Sequence, residues 1–297
     1  IQGDGETPAV MLAHAIRQKE SFESIPNLLY RNNGSVVQNG EYWRPGPREF
    51  SSYDFADFSF IKNFERYSAP YLVPRGSTLE SLASHRVFYL PTSRGCTVNC
   101  AFCGGGQNAH RQYFHRSRPL FRDIESVLQT MESVLRFGWN TFYICFKMPD
   151  DDRVYYPTLF EEIGRRFGRG KIKMLFESAL LPCERCIEGF AESFDLGGSQ
   201  IILSPTAHDE ETRKRFLGSF YYNFELEQFL AGTRRLHIPT LLYYSILPGQ
   251  NLNSTRELIR HQTALEKKYG VVCQTMPIEL EPGSPWSLHP ERYDVKL

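Results

Sequence analysis

From residue 87 onward the chain alternates short apolar runs with longer segments whose apolar residues recur at helical spacing. The runs 87–91, 141–146, 171–176, 200–203, 240–247 and 272–278 read as six strands. Between them, residues 123–137 carry Ile124, Val127, Leu128, Met131, Val134 and Leu135 on one helical face, and residues 254–269 open on Ser254 and Thr255 ahead of Glu257. Strands and helices alternating through short links predict a parallel sheet with helices outside it, an α/β fold.

Before residue 87 the pattern changes. Residues 7–19 read as one helix, and the stretches 28–31 and 36–38 flank Asn32-Asn33-Gly34, a hairpin signal because Asn and Gly accept the left-handed backbone of a tight turn. Residues 43–71 are rich in aromatics, Pro and Ser and read as an extended linker packing on the strand-and-helix region. The opening Gln2-Gly3-Asp4-Gly5-Glu6-Thr7 places glycines just before a helix, but Gly-x-Gly-x-x-Gly is incomplete and no strand precedes it.

A chain of 297 residues can bury a substantial core, as one large domain or two modest ones. Lys+Arg and Asp+Glu balance at 34 each, so no global field draws nucleic acid or an anionic membrane, and a charged partner must be recognised locally. Basic stretches at 110–118 and 165–173 read as solvated surface, although the first is also placed to meet an anionic substrate. No apolar run approaches the roughly 18 residues of a membrane span, and no basic segment leads into an apolar one at the start, so the expected location is cytoplasmic. Seven cysteines, an odd number, suit a reducing compartment better than a disulfide framework.

The chemistry concentrates in Arg94-Gly95-Cys96-Thr97-Val98-Asn99-Cys100-Ala101-Phe102-Cys103-Gly104-Gly105-Gly106, which packs three thiols beside a glycine run. Cysteines at ligand spacing point to a metal, yet structural zinc and iron-sulfur sites normally take four protein ligands. His110 or a distant cysteine could complete a zinc knuckle, the basis of a non-catalytic zinc-binding module, and three buried free thiols are the plainest reading.

The Cys-x3-Cys-x2-Cys spacing, with Phe102 just before the last cysteine, resembles the cluster loop of the radical S-adenosylmethionine (SAM) enzymes. The resemblance implies that Cys96, Cys100 and Cys103 hold three irons of a 4Fe-4S cluster while SAM chelates the fourth through its amino and carboxylate groups. One electron would then cleave SAM to a 5′-deoxyadenosyl radical that abstracts hydrogen from an unactivated carbon. It also implies a partial (β/α)6 TIM-like barrel over residues 87–297, with the cluster loop after the first strand and the chemistry at the carboxyl ends of the strands. The implied partners are a small-molecule or peptide substrate and an electron donor such as flavodoxin or ferredoxin. Nucleic acid is not expected, although a radical SAM enzyme that modifies RNA would keep the same chemistry.

Further contacts to SAM are implied by the same resemblance. Phe102 would offer its backbone to the adenine, Gly104 and Gly105 would allow close approach, and Glu177 and Ser204 end the third and fourth strands where SAM contacts are expected. Arg213, in the helix after the fourth strand, would meet the SAM carboxylate, with a solvated helix residue as the alternative; Leu247, in Ile246-Leu247-Pro248-Gly249, would approach the adenine. Where many members carry Gly-Gly-Glu to grip the SAM amino group, this chain has Phe146-Lys147-Met148-Pro149-Asp150-Asp151-Asp152, leaving an aspartate as the substitute or a solvated acidic turn. Cys183 and Cys186 read as a helix start with two incidental thiols, or as half of an auxiliary cluster completed by Cys145 and Cys273.

Gly3-Asp4-Gly5-Glu6, then Ile25-Pro26-Asn27-Leu28-Leu29-Tyr30-Arg31, and later Glu281-Pro282-Gly283-Ser284-Pro285-Trp286, resemble the cobalamin-associated branch. On that resemblance residues 1–40 are the C-terminal remnant of a cobalamin-binding Rossmann-like domain and 41–86 a linker, and cobalamin-dependent methyl transfer or rearrangement becomes the expected subclass. No Asp-x-His-x2-Gly cobalamin signature occurs, so either the chain is a piece of a longer protein or the cobalamin domain has been lost.

Overall fold

The computed structural model describes residues 1–63, 86–145, 152–218 and 220–293. All six expected strands are present: β3 (Val87–Tyr89), β6 (Thr141–Cys145), β7 (Lys173–Ser178), β8 (Gln200–Thr206), β9 (Thr240–Ile246) and β10 (Val272–Pro277). They pair in the order β3-β6-β7-β8-β9-β10, every ladder parallel, and among the described residues β3 and β10 have one neighbour each. Chain order equals spatial order, so the sheet is an open, six-stranded portion of a (β/α) barrel. The boundaries differ in detail: the third strand starts two residues later than its apolar run and ends at Ser178, and the fourth continues through Ser204 to Thr206. Polar residues at the carboxyl ends break the apolar pattern: Glu177 and Ser178 still pair with Ile202 and Leu203, and beyond Leu203 the register of β8 on β9 shifts. Phe146 lies outside the described residues, as do 64–85 of the linker.

The sheet sorts its side chains by alternation. On the outer face Phe142, Ile144, Phe176, Ile201, Leu203 and Leu242 pack with Val127, Met131, Phe160, Phe190 and Leu230 from the covering helices. Those helices include α4 (Ile124–Arg136), α5 (Asp152–Phe167), α6 (Glu184–Ser193), α7 (Glu210–Phe216), α8 (Asn223–Arg235) and α9 (Leu252–Tyr269). Phe160 is fully buried with its ring 5.2 Å from Phe176, 5.7 Å from Phe190 and 5.1 Å from Phe194. Burial of each such ring stabilises the fold by roughly 1.5–3 kcal/mol. The inner face carries Leu175, Ile202 and Leu241 with Tyr143, Tyr243 and Val272.

Local signals fix the helix starts. Asp123 accepts from Ser126 N–H at 2.8 Å ahead of α4, and Asp209 accepts from Thr212 N–H at 2.7 Å ahead of α7. α9 begins earlier than its Ser/Thr pair suggests, because Asn251 is the cap and Ser254 reciprocates by accepting from the Asn251 N–H at 3.0 Å.

The N-terminal unit is a helix, α1 (Glu6–Gln18), and an antiparallel hairpin of β1 (Leu29–Asn32) and β2 (Ser35–Gln38). Asn33 (φ 48°) and Gly34 (φ 84°) form its turn, both left-handed as a two-residue hairpin loop requires. The linker is not wholly extended: Pro47 starts a short helix, α2 (Pro47–Ser52), that buries Phe50. After β3 the chain makes an excursion whose neck is the two-residue antiparallel pair β4 (Ser93–Arg94) and β5 (Leu120–Phe121) and which contains α3 (Gln107–Tyr113). Strands of two residues leave no periodicity to read. All three cysteines of the motif lie in this excursion.

Candidate active site

At the carboxyl ends of the strands lies a cavity of about 380 Å³. The excursion supplies one wall, with Gly95, Cys96, Cys100, Phe102, Cys103 and Gly105; the strands supply the other, with Cys145, Glu177, Ser204, Thr206, Tyr243 and Ser245. Ala179, Leu217 and Ile278 add apolar surface. Seven of the ten site residues named from the sequence therefore face one space: Cys96, Cys100, Cys103, Phe102, Gly105, Glu177 and Ser204.

Glu177 is the hub of the strand wall. Its Oε2 accepts from the Tyr143 hydroxyl and from the Cys145 thiol at 3.1 Å, and its Oε1 accepts from the Ser204 hydroxyl at 3.4 Å. Burial, then the charge of Glu177 and the Cys145 thiol, push the Tyr143 phenol far above its ordinary value, and burial followed by Glu177 raises Tyr243. Both phenols stay protonated across the physiological range. Thr206 adds a backbone feature: at φ 65°, beside the register shift between Leu203 and Thr206, a β-branched residue occupies the left-handed region, a strain that clusters at functional sites.

The cysteine loop is held from behind. Ala101 donates to Phe216 O at 2.8 Å and accepts from Trp286 N–H at 2.8 Å, the Phe102 carbonyl accepts from Glu281 N–H at 3.3 Å, and the Phe102 ring meets Trp286 edge-on at 5.9 Å. The Gly105 N–H donates to Cys103 Sγ at 3.3 Å, the type of contact that holds and tunes a ligating sulfur.

Three expected residues stand elsewhere. Gly104 faces the C-terminal segment, donating to Glu281 Oε2 at 2.7 Å, and a Cβ there would lie 2.3 Å from the Pro282 carbonyl. Leu247 is buried with Ala101, Ala207, Phe216 and Trp286 in the small core that supports the loop. Arg213, 1% exposed, lies over the Tyr221 ring at 5.1 Å and donates to Asn223 Oδ1, because its face of α7 is turned toward α8. Residues 146–151, where the acidic turn replaces Gly-Gly-Glu, lie outside the described residues. Tyr143, Tyr243 and Ser245 carry no expectation from the sequence, and Cys145 only one as an auxiliary-cluster thiol, although period-two alternation with Glu177 and Ser204 on neighbouring strands was a usable signal.

The thiols fit a 4Fe-4S cluster. Among the described residues no three His, Cys, Asp or Glu side chains converge as one metal ion requires. A cubane cluster attaches each thiolate to a different iron, so three thiols spread along one cavity wall, with a backbone N–H on one sulfur, fit it. His110 is not on that wall; burial, then Arg116, hold it below the usual imidazole range, and its ring tilts against Phe114 at 4.9 Å. The other cysteines are separated by the sheet: Cys183, Cys186 and Cys273 pack with the helix-side core, and Cys145 lines the cavity.

No curated protein matches the sequence. Two solved structures of the radical S-adenosylmethionine methyltransferase TsrM from Kitasatospora setae share the fold. One, with tryptophan substrate and a SAM analogue bound, is 18% identical at TM-score 0.67 and covers 99% of this chain and 54% of its own. The other, with cobalamin and a 4Fe-4S cluster bound, is 17% identical at TM-score 0.68 and covers 99% and 53%. A spore photoproduct lyase with bound AdoMet and a dinucleoside spore photoproduct is 9% identical at TM-score 0.50, covering 72% and 63%. The chain thus spans about half the length of the TsrM structures, and identities this low show the fold alone. The model of the Radical SAM superfamily matches residues 90–261, more than half of the 297 and including every cysteine of the loop, and by that match the chain belongs to the radical SAM superfamily.

Proposed function

We propose that the cavity is where this enzyme binds a 4Fe-4S cluster and SAM, with Cys96, Cys100 and Cys103 as the protein ligands and the fourth iron left for SAM. One observation carries this: three cysteines of a single loop line the same cavity as the carboxyl ends of β6 to β9. When bound, the cluster supplies one electron to SAM, whose cleavage yields a 5′-deoxyadenosyl radical for hydrogen abstraction. The chain's own residues bind, orient and exclude water. Glu177, already an acceptor for three donors, offers its carboxylate to hydroxyl or ammonium groups of SAM, with Ser204 beside it. Phe102, Leu217 and Ile278 keep water from the reacting atoms. Gly104 and Leu247 act through the loop they support, and Arg213 braces α7 against α8.

Within this chemistry we favour a cobalamin-linked methyltransferase or rearrangement enzyme. The fold likeness to TsrM extends over 99% of the chain, N-terminal unit included, which supports reading residues 1–40 as the end of a cobalamin-binding domain, 41–86 as a linker and 87–297 as the barrel. Anaerobic reconstitution with iron and sulfide, followed by assay for 5′-deoxyadenosine under a strong reductant, tests the first reading; no cluster and no product would refute it. Methyl transfer that requires added cobalamin tests the second, and full turnover without it would overturn that.

A further inference from the structure

Asp4 is 3% exposed yet holds two cations. Its Oδ1 accepts from Arg94 Nη1 at 2.7 Å and its Oδ2 from Arg116 Nη2 at 2.6 Å, while Arg94 Nη2 reaches Glu6 Oε1 at 2.6 Å. The two arginines stand on opposite arms of the excursion that carries the cysteines: Arg94 is the last residue of β4, two before Cys96, and Arg116 lies on the returning arm four before β5. The β4–β5 ladder contributes only two residue pairs to that neck. Asp4 is therefore a staple across it. The contact is close on the returning arm, where a Cβ on Gly3 (φ 83°) would lie 2.6 Å from the Tyr113 carbonyl. Arg44 donates to the His115 carbonyl, and the Tyr42 ring lies 3.6 Å from that of His115. Two arginines against two carboxylates leave the cluster of charges neutral. Asp4 and Arg116 are buried, and a buried ion pair gains little net stability over apolar packing because desolvation offsets attraction.

We propose that Asp4 is the positioning residue of the cysteine loop: by tying Arg94 to Arg116 it closes the neck of the excursion and sets where Cys96, Cys100 and Cys103 stand. The N-terminal unit then governs the metal loop mechanically, although it contributes no residue to the cavity wall. The inference rests on the proposed cluster site, and wild-type protein that binds no iron or sulfide would sink that reading by itself.

The test compares reconstituted wild-type protein with Asp4→Asn, which keeps the shape and loses the charge. Asp4→Asn is expected to take up the cluster but release its iron to a chelator at least about tenfold faster, the scale seen when groups orienting metal ligands are lost. Its reduced-state EPR signal in the presence of SAM is expected to differ from that of wild type. Hydrogen exchange is expected to accelerate at 93–121 while β6 to β9 stay protected. Because Asp4 acts through Arg116, Asp4→Asn combined with Arg116→Gln is expected to release iron no faster than either single variant. Glu192→Gln, at an exposed ion pair with Arg169, serves as the unaffected control. Wild-type iron release with an unchanged spectrum, or fully additive effects in the double variant, would overturn the proposal. If Asp4→Asn does not fold, Arg116→Lys, which keeps the charge and loses the guanidinium geometry, takes its place: faster iron release with an altered spectrum supports the proposal, and wild-type iron release with an unchanged spectrum overturns it.

Discussion

Cys145 and Glu177 are register partners on adjacent parallel strands, and the Cys145 thiol donates to Glu177 Oε2 at 3.1 Å. The pair sits on the strand wall of the cavity, opposite the loop that carries the other three cavity cysteines. A carboxylate so placed, with Tyr143 and Ser204 also donating to it, is an acceptor whose loss leaves several donors unpaired. Glu177→Gln is expected to weaken SAM binding about 10- to 100-fold, a loss of about 1.4 to 2.7 kcal/mol, while leaving iron content unchanged. Calorimetric titration of SAM into the reconstituted protein measures it.

Six of the seven cysteines should divide sharply. Cys96→Ala, Cys100→Ala and Cys103→Ala are each expected to cut iron and sulfide incorporation at least about tenfold and to abolish 5′-deoxyadenosine formation, since a cluster that keeps one iron for substrate cannot spare a thiolate. Cys145→Ser, Cys183→Ser and Cys273→Ser are expected to retain a full complement. Iron and acid-labile sulfide analysis separates the two groups.

Two glycines set how the cysteine loop packs: Gly104 belongs to the loop and meets the C-terminal segment, and Gly218 meets the loop at Asn99. A Cβ on Gly104 would lie 2.3 Å from the Pro282 carbonyl, and one on Gly218 would lie 2.2 Å from the Asn99 nitrogen. Both obstacles are backbone, so the loop must shift. Gly104→Ala and Gly218→Ala are each expected to destabilise the fold by about 1–3 kcal/mol, seen as a lower urea midpoint, and to lower cluster occupancy.

Acid should weaken the fold through capped and paired carboxylates. Hydrogen bonds from Lys268 and Tyr269 hold Glu227 below its ordinary value; at Asp123, burial acts upward but the Ser126 N–H and the Ser51 and Ser126 hydroxyls win. Both groups have folded pKa values below their unfolded ones, so the unfolded chain binds more protons in that window and their stabilisation is present above about pH 5 and lost as pH falls through the folded values. The urea midpoint is expected to drop between about pH 6 and about pH 3, and Glu227→Gln to flatten part of that slope.

The fold was legible because its signals are local. Six apolar runs separated by helical periodicity, Asp123 and Asp209 at helix starts, and Asn33-Gly34 in a hairpin turn each act through neighbours in the chain, and the structure has all of them. The cysteine loop was legible for the same reason, three cysteines within eight residues. Pairings across long separations were not. Arg213 could be named as a basic residue in the right helix, but its direction is set by Tyr221 and Asn223. Leu247 fell in the supporting core with Trp286 rather than on the cavity wall.

What the sequence determined by itself was the parallel α/β alternation, the three-cysteine loop after the first strand, and Glu177 and Ser204 in the carboxyl-terminal halves of their strands, all fixed by spacing along one stretch of chain. Only the tertiary structure decided that Asp4 closes the neck of that loop from 90 residues away, and that Tyr143 and Cys145 converge on Glu177. A buried charge must find its counter-charge wherever the fold brings one, and no periodicity in the sequence records that choice.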